Sequence, residues 1–443
     1  MSTPAGSRGP KTGRKVGWGF ADQVFSSATN FGLTIIAGRW LGPSALGVVS
    51  LGFAAYVLSV IFQRALITEP HTVVTANLPL EERKRLSRRA VTMSLTAGIV
   101  VGGALVVIGL IIGGPVGRGF VIFGPWMPFV LVQDLWRYVL FRDDQNAKAV
   151  GNDATWVVGM LVSMPIAYWI HTDWAVVGSW GFGAAVAMAL GFYQTKIRPA
   201  DPGGTIAWWV KENWPIGKWF AADRLASNLG TQGTVFILAP LLGAAALGGL
   251  KATNSVFAPL SVLGPSITLP SLPMMTRAYR QSSGLARTTA VKLSLIVTGL
   301  TVIYTLFLAA GGGVVLAFLF GSKFRHFTSL IVPTAAGQLM AAASIGFIVL
   351  LKASKRGRPL VIAHVISTVG TLIVTPILAV HYGVVGAAWG LAIGYGLESI
   401  ALIALSWKLP SAADRERAGH LAEAELEEEG TPGGVTGAGA QTR

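Results

Sequence analysis

The chain contains no cysteine and little charge. Charged side chains make up 12% of its 443 residues, with 20 Asp+Glu against 35 Lys+Arg. The lack of cysteine excludes disulfides, zinc–thiolate sites and thiol catalysis. A soluble domain is about 25% charged, whereas 52% of this chain is hydrophobic and its mean hydropathy is +0.59. This composition indicates a membrane protein.

The sequence lacks the motifs that several kinds of catalytic and metal-binding chemistry require. No Walker A motif is present, which excludes ATP hydrolysis by that route. The 6 histidines form no metal-spaced pair, so we predict neither a metal site nor a cofactor. Only His364 lies within a predicted span, and we interpret it as a hydrogen-bonded interior residue. A membrane glycosyltransferase or polymerase normally needs acidic residues or a domain outside the membrane, which Asp173 alone does not supply. We therefore predict that the chain is not an enzyme.

The apolar segments predict an all-α integral membrane protein with twelve transmembrane helices. This count uses about 20 apolar residues per crossing. The short apolar segment 312–321 is expected to extend the ninth helix. The predicted spans are 17–38, 45–66, 91–113, 119–141, 153–170, 174–193, 219–240, 244–272, 293–311, 329–351, 359–380 and 383–406.

One segment occurs twice, at a separation of 201 positions. In the stretch from Trp18 to Gly47, eleven residues are identical to their counterparts between Trp219 and Gly248. A repeat at half the chain length predicts two pseudo-symmetric lobes of six helices each, an arrangement known from many membrane transporters. We place the cytoplasmic N-terminal tail at 1–15, the lobes at 16–194 and 219–408, a cytoplasmic linker with an interfacial aromatic segment at 195–218, and an acidic, then disordered tail at 409–443.

The distribution of basic residues predicts the orientation. A net charge of +15 would suggest nucleic-acid binding in a soluble protein, but here most Lys and Arg lie in short loops on one side. The positive-inside rule places that side, and both termini, in the cytoplasm. We therefore predict no nucleic-acid partner. The basic residues left outside are Arg39, Arg118, Lys323 and Arg325.

Eight charged residues fall in the interior of predicted spans, where each costs at least about 2.5–3.5 kcal/mol at a helix centre. Arg64 and Glu398 lie near cytoplasmic ends and could snorkel, while Asp134 and Arg137 could pair along one helix. Arg224 needs another partner or a substrate. These eight residues are Asp22, Arg64, Asp134, Arg137, Asp223, Arg224, Lys251 and Glu398.

The repeated helices also carry matching polar stripes at four-residue spacing, which places each stripe on one helix face. We interpret the stripes as cavity linings; a core stripe of hydrogen-bonded serines is the alternative. Asp22 and Asp223, which begin the stripes, are candidates for ion coupling. The stripes continue with Ser26 and Asn30 in the first copy and with Ser227 and Thr231 in the second.

The chain resembles the Wzx-type polysaccharide flippases of the MOP superfamily, to which MATE transporters belong. The resemblance rests on loose motifs: Asp22-Gln23-Val24, Leu41-Gly42-Pro43, Arg64-Ala65-Leu66 with Glu69-Pro70, and the turn from Leu351-Lys352-Ala353 to Gly357-Arg358-Pro359. It implies two lobes around a central cavity that works by alternating access, with basic residues for a lipid diphosphate. The matching positions are Arg64, Arg224 and Lys251, and we add Arg137 as a further candidate.

Two features depart from the lipid II flippase branch of that superfamily. Its members place an Arg-Asp pair early in the first helix, whereas here Asp223-Arg224 stands in the seventh. They also have extra helices that this chain lacks.

We therefore predict a flippase for a polyprenyl-diphosphate-linked oligosaccharide in a bacterial inner membrane. Its partners would be that substrate, membrane lipids, and a glycan polymerase or glycosyltransferases of the same pathway. The alternatives are a cation-coupled multidrug exporter of the same superfamily and a non-transport subunit of cell-wall glycan assembly.

The loop charges generate a topology prediction. A reporter enzyme that works only outside the cytoplasm should be active when fused after Ser322 and inactive when fused after Arg415. Activity at Arg415 would contradict an even number of crossings.

Overall fold

The computed structural model describes residues 27–354 and 357–407. Within these ranges the chain forms helices and turns without a strand, which confirms the predicted all-α class. Asp22 and Ser26 lie outside the described residues, as does the side chain of Asp223.

The first part of the chain forms six apolar helices and one short helix. The described part of α1 is 27–36 and ends in a π-helical turn, Ala37–Leu41. The short helix α7 (Pro202–Glu212) carries Trp208 and Trp209 and lies in the predicted linker. The remaining helices are α2 (Pro43–Thr75, with a π-helical turn at Arg64–Thr68), α3 (Leu80–Ile112), α4 (Gly114–Arg142), α5 (Asn146–Ile170) and α6 (Asp173–Thr195).

The second part contains two long helices that break at glycine. Helix α8 (Trp214–Val256) is interrupted at Gly243 and helix α12 (Gly357–Trp407) at Gly383, where the backbone leaves the helical region. Within the described ranges, nine helices are long and apolar enough to cross a membrane. These nine helices, the described part of α1 and the two breaks are together consistent with twelve crossings. The other helices of the second part are α9 (Ala258–Gln281), α10 (Ser283–Phe320) and α11 (Ile331–Ala353).

The two copies of the repeat turn in the same way. Gly42 has φ +86° and Gly243 has φ +79°, and each follows a leucine at the equivalent position. A side chain is strained at such angles, and glycine is not. The shared Leu-Gly pair therefore specifies the sharp turn that connects the paired helices in each copy.

Just after these turns, the two copies pack against each other at backbone distance. A Cβ added at Gly47 would overlap the carbonyl oxygen of Ala244, and one at Gly248 would overlap the carbonyl oxygen of Pro43. Gly47 and Gly248 are repeat counterparts, and so are Pro43 and Ala244. The contact is therefore reciprocal, as in a two-fold interface. It closes the molecule at the end predicted to face outward.

Glycines at four-residue spacing bring other helices equally close. Gly98 and Gly102 of α3 face the backbone of α4 at Pro128 and Gly124. In α12, the segment after the break packs on the segment before it through Gly386, Gly390 and Gly394. Small residues permit this approach in a membrane, where packing replaces the hydrophobic effect.

Several helices extend further at their cytoplasmic ends than hydropathy indicates. Helix α3 begins at Leu80 instead of residue 91, and α5 begins at Asn146 instead of residue 153. In α3 the extra turns are polar and carry the ion pairs Lys84–Glu81 and Arg85–Glu82, each three residues apart. Such pairs stabilise a helix beyond the apolar core. Helix α10 includes the apolar segment 312–320, as predicted.

The reciprocal glycine contact generates a prediction about outer closure. Gly47→Ala should force the helix ends apart, since overpacking costs about 1–3 kcal/mol. Because the chain lacks cysteine, Leu247→Cys, which is 3% exposed beside Gly248, provides a single thiol reporter. An impermeant maleimide added outside should label it about tenfold faster in the Gly47→Ala background, since 1.4 kcal/mol changes a population tenfold.

The matched control is Gly103→Ala, because a Cβ at Gly103 meets no atom within 4 Å. Equal labelling in both backgrounds would show that the contact does not control closure.

Candidate functional site

A polar cavity of about 480 Å³, here called the first cavity, lies among α1, α2, α4 and α5. Asn30 from the first polar stripe lines it, together with Tyr56, Arg64, Asp134 and Arg137. The predicted charges Arg64 and Arg137 therefore share one site. Their surroundings determine how much positive charge the cavity presents.

Arg64 and Asp134 form a two-bond ion pair between α2 and α4. Nε of Arg64 donates to Oδ2 of Asp134 at 2.9 Å, and Nη2 donates to Oδ1 at 2.5 Å. The guanidinium also lies 5.6 Å from the ring centre of Tyr138. Arg64 begins the π-helical turn of α2, and such turns are frequent at functional sites. Arg64 is thus held by a carboxylate instead of snorkelling to the interface.

Arg137 connects the same cluster to α5. Its Nη1 lies 3.7 Å from Oδ1 of Asp134, and its Nε lies 3.2 Å from Oδ2 of Asp153. Gln133 donates to Oδ1 of Asp153 at 2.7 Å. Asp134 and Asp153 are almost fully buried. Two arginines therefore face two aspartates, and these four groups carry no net charge.

A second cavity, of about 300 Å³, lies mainly among α8, α11 and α12, with Ser50 and Phe53 of α2 on its wall. Lys251 lines it and places Nζ 4.3 Å from the ring centre of Phe53. No carboxylate is found among the described residues that line this cavity. Amide side chains are contributed by Gln232, Asn254 and Gln338.

Arg224 lies elsewhere, where α8 meets the cytoplasmic end of α2. Its Nη2 donates to Oε1 of Glu69 at 2.6 Å, and its side chain is 48% exposed. Close by, the indole Nε1 of Trp209 donates to the carbonyl of Leu66 at 3.0 Å. The partner that Arg224 needed is therefore supplied by the cytoplasmic end of α2, in the first lobe. Arg224 and Lys251 do not line a common cavity in the described part of the chain.

The polar stripes reach two different cavities. Asn30 lines the first cavity, whereas Thr231 lines the second. Ser227 donates its hydroxyl to the carbonyl of Arg224, within its own helix. The proposed roles of Asp22 and Asp223 remain predictions.

Glu398 has a partner as well. One carboxylate oxygen lies 3.2 Å from Nδ1 of His364, and Ser367 donates to the other at 3.3 Å. The interior hydrogen-bonded role predicted for His364 agrees with this contact.

Sequence reasoning missed Asp153 and Glu69. Asp153 was placed at the first residue of a span, whereas α5 begins at Asn146 and carries it two turns inside. Glu69 lay beyond the predicted end of the second span, but the π-helical turn continues directly into Glu69–Thr75. In both cases the helix continues with polar residues beyond the apolar segment from which its span is predicted.

Comparisons with known proteins agree with this architecture. A family described as "Polysaccharide biosynthesis protein" matches residues 152–329, which is less than half of the chain. No curated protein sequence matches the chain. Among solved structures, the lipid II flippase MurJ in an inward closed conformation is similar with a TM-score of 0.67 at 12% identity, covering 95% of this chain and 94% of MurJ.

Two transporters of the MOP superfamily are also similar. An inward-facing multidrug resistance MATE transporter has a TM-score of 0.63 at 13% identity, covering 91% of this chain and 96% of its own. A MOP superfamily transporter from Pyrococcus furiosus has a TM-score of 0.54 at 13% identity, covering 87% and 92%. At these identities the likeness shows the fold, and it confirms the predicted MATE-like, MOP-type architecture of a multi-pass membrane protein.

The Arg64–Asp134 pair generates a stability prediction. Removing one partner leaves the other charge uncompensated, which costs about 3–5 kcal/mol for fully buried pairs. Arg64 keeps 32% side-chain exposure, so we expect the lower end of that range for Asp134→Asn or Arg64→Gln. The combined variant Arg64→Gln with Asp134→Asn should lose less than either single variant. Tryptophan-monitored melting in detergent measures the differences; additive losses would contradict the pairing.

Proposed function

We propose that this chain is a flippase that moves a polyprenyl-diphosphate-linked oligosaccharide across the bacterial inner membrane by alternating access. The observation that carries the proposal is Lys251, a cation that lines a cavity within the spanning region and faces no described carboxylate. The matching family of polysaccharide biosynthesis proteins and the MOP-type fold support the same function.

The energetics of Lys251 favour an anionic ligand. A lysine charge at a helix centre costs about 2.5–3.5 kcal/mol. The contact with Phe53 offsets about 0.5–2 kcal/mol of this. Its repeat counterpart is the neutral Ser50, which lines the same cavity, so the repeated architecture does not require the charge. A phosphate or diphosphate group would supply the missing countercharge.

The rest of the second cavity suits a sugar headgroup. Amide and hydroxyl groups of Gln232, Asn254, Gln338 and Thr334 can exchange hydrogen bonds with sugar hydroxyls, and Tyr395 adds a ring face. Ligand cavities commonly measure about 300–1,000 Å³ and combine an apolar lining with a few polar groups. At about 300 Å³, this cavity would hold the diphosphate and its first sugar.

Alternating access requires one closure at each side of the membrane. At the outer side, the closure is the glycine contact between Gly47 and Gly248. At the cytoplasmic side, Arg224–Glu69 and Trp209–Leu66 connect α7 and α8 to α2. We propose that transport breaks and remakes these contacts in turn. Arg224 would then serve primarily as a gate residue and only secondarily as a phosphate ligand.

The alternative of a cation-coupled multidrug exporter needs an acidic site that is free to bind cations. Asp134, which lines the first cavity, and its neighbour Asp153 are already engaged by Arg64 and Arg137. This pairing favours the anionic substrate. Inner-membrane location, cytoplasmic termini, and a polymerase or glycosyltransferases as partners are further parts of the proposal, as is the absence of catalysis.

The role of Lys251 generates the central functional prediction. Lys251→Gln should lower flipping of a polyprenyl-diphosphate disaccharide in proteoliposomes by roughly ten- to a hundredfold, since a charge-assisted hydrogen bond is worth about 1.5–3 kcal/mol. Lys251→Arg should retain most of the activity. The control Lys323→Gln removes an exposed cation at the outer turn and should not change the rate. Wild-type rates for Lys251→Gln, at normal folded yield, would rule out the anionic-lipid mechanism.

A further inference from the structure

The face of α2 that turns away from the first cavity forms one side of an apolar groove. This groove, of about 440 Å³, is bounded by α2, α3, α4, Trp209 of α7 and Phe236 of α8. No charged side chain lines it among the described residues. Its two polar side chains are turned to other partners: Ser59 donates to the carbonyl of Ala55, and Gln63 donates to Ser94 and to the carbonyl of Leu131.

The groove is elongated along the helix axes. On α3 its wall consists of Met93, Ala97, Val101 and Leu105, which lie four residues apart and therefore form one stripe. Twelve residues of helix span about 18 Å at about 1.5 Å per residue. On α2 the wall runs from Ala55 to Ile67, an equal length. A slot of this shape matches an extended hydrocarbon chain better than a compact ligand.

The cytoplasmic end of the groove is marked by a cation and by indoles. Arg89 lies one turn before Met93 on the same stripe, and its guanidinium is 5.0 Å from the ring centre of Trp208. Trp209 on the same short helix is part of the groove wall. Basic and indole side chains favour the headgroup level of a membrane. The groove thus runs from that level into the hydrocarbon region.

The groove and the second cavity lie on opposite sides of the line of contact between α2 and α8, here called the seam. On α2, Ala54 lines the cavity and Ala55 lines the groove; on α8, Val235 lines the cavity and Phe236 lines the groove. A molecule with its charged head beside Lys251 could therefore leave its chain in the groove by crossing between α2 and α8. The alanines keep the α2 side of the seam small.

We propose that this groove holds the polyisoprenoid chain of the substrate while the diphosphate–sugar head occupies the second cavity. The proposal rests on the proposed flippase function and extends it, since it assigns the apolar part of the substrate to α2, α3 and α8. Only the polar head then needs an enclosed path. The chain remains at the lipid-facing side of α2 throughout the cycle.

A binding experiment tests the groove independently of transport. A polyprenyl phosphate that carries a diazirine in its chain is incorporated with the full-length protein into phosphatidylethanolamine–phosphatidylglycerol vesicles and photolysed. We expect labelling of the α3 segment 93–105, competed by unlabelled polyprenyl phosphate. Ala97→Trp should abolish the labelling by filling the groove. Ile99→Trp, on the same helix but 58% exposed, should leave it unchanged.

A phosphatidylglycerol carrying the same diazirine is the comparison probe. Equal labelling of segment 93–105 by both probes, without competition, would mean that the groove holds ordinary membrane lipid, and it would overturn the proposal. Absence of polyprenyl labelling in this segment of the unmutated protein would overturn it as well.

A transport measurement separates this proposal from the proposed function. With a long-chain substrate, Ala97→Trp should lower the flipping rate by about tenfold or more, because lost positioning of a substrate has effects of that order. An analogue with a chain too short to reach the groove should be flipped equally by Ala97→Trp, Ile99→Trp and the unmutated protein. Groove labelling without flipping by the unmutated protein would remove the flippase function and leave the groove intact. Flipping of the long-chain substrate at the unmutated rate by Ala97→Trp would remove the proposed role of the groove and leave the flippase function intact.

Discussion

The arrangement of the two lobes depends on the reciprocal contact of two glycines, Gly47 and Gly248, each against the start of the other's helix. No larger side chain fits at either position, so both copies of the repeat must keep glycine there. Because the contact joins backbones, it has little room for adjustment and can be either formed or broken. A contact that is either formed or broken is the type of element on which switching between conformations depends.

The other features of the site follow from which side of this contact they occupy. Helices α2 and α8 meet at their outer ends through glycine, and cavities lie beside them toward the cytoplasm. At the cytoplasmic end of α2, the ion pair between Glu69 and Arg224 joins the same two helices. An ion pair at a half-exposed position is weak in net terms. The inner closure is therefore the easier of the two to open, which suits loading from the cytoplasm.

The sequence predicted the parts that depend on local pattern. The repeat identified Gly42 with Gly243 and Gly47 with Gly248, and hydropathy identified the helices. It could not predict the ion pairs, because Arg64 and Asp134 are 70 residues apart and Arg224 and Glu69 are 155 apart. Which charges meet depends on how the helices rotate against each other. Hydropathy also shortened helices at their polar ends, which hid Asp153 and Glu69.

The informative residues are those at which the two copies differ. Each copy has the same turn and the same glycine, and these common features build a symmetric frame. On that frame Ser50 and Lys251 occupy equivalent positions and line one cavity, but only one of them is charged. The first cavity balances its arginines with aspartates, whereas the second leaves its lysine without a described carboxylate. A symmetric scaffold is suited to movement between two states, and the asymmetric charge is the feature that favours the proposed anionic substrate.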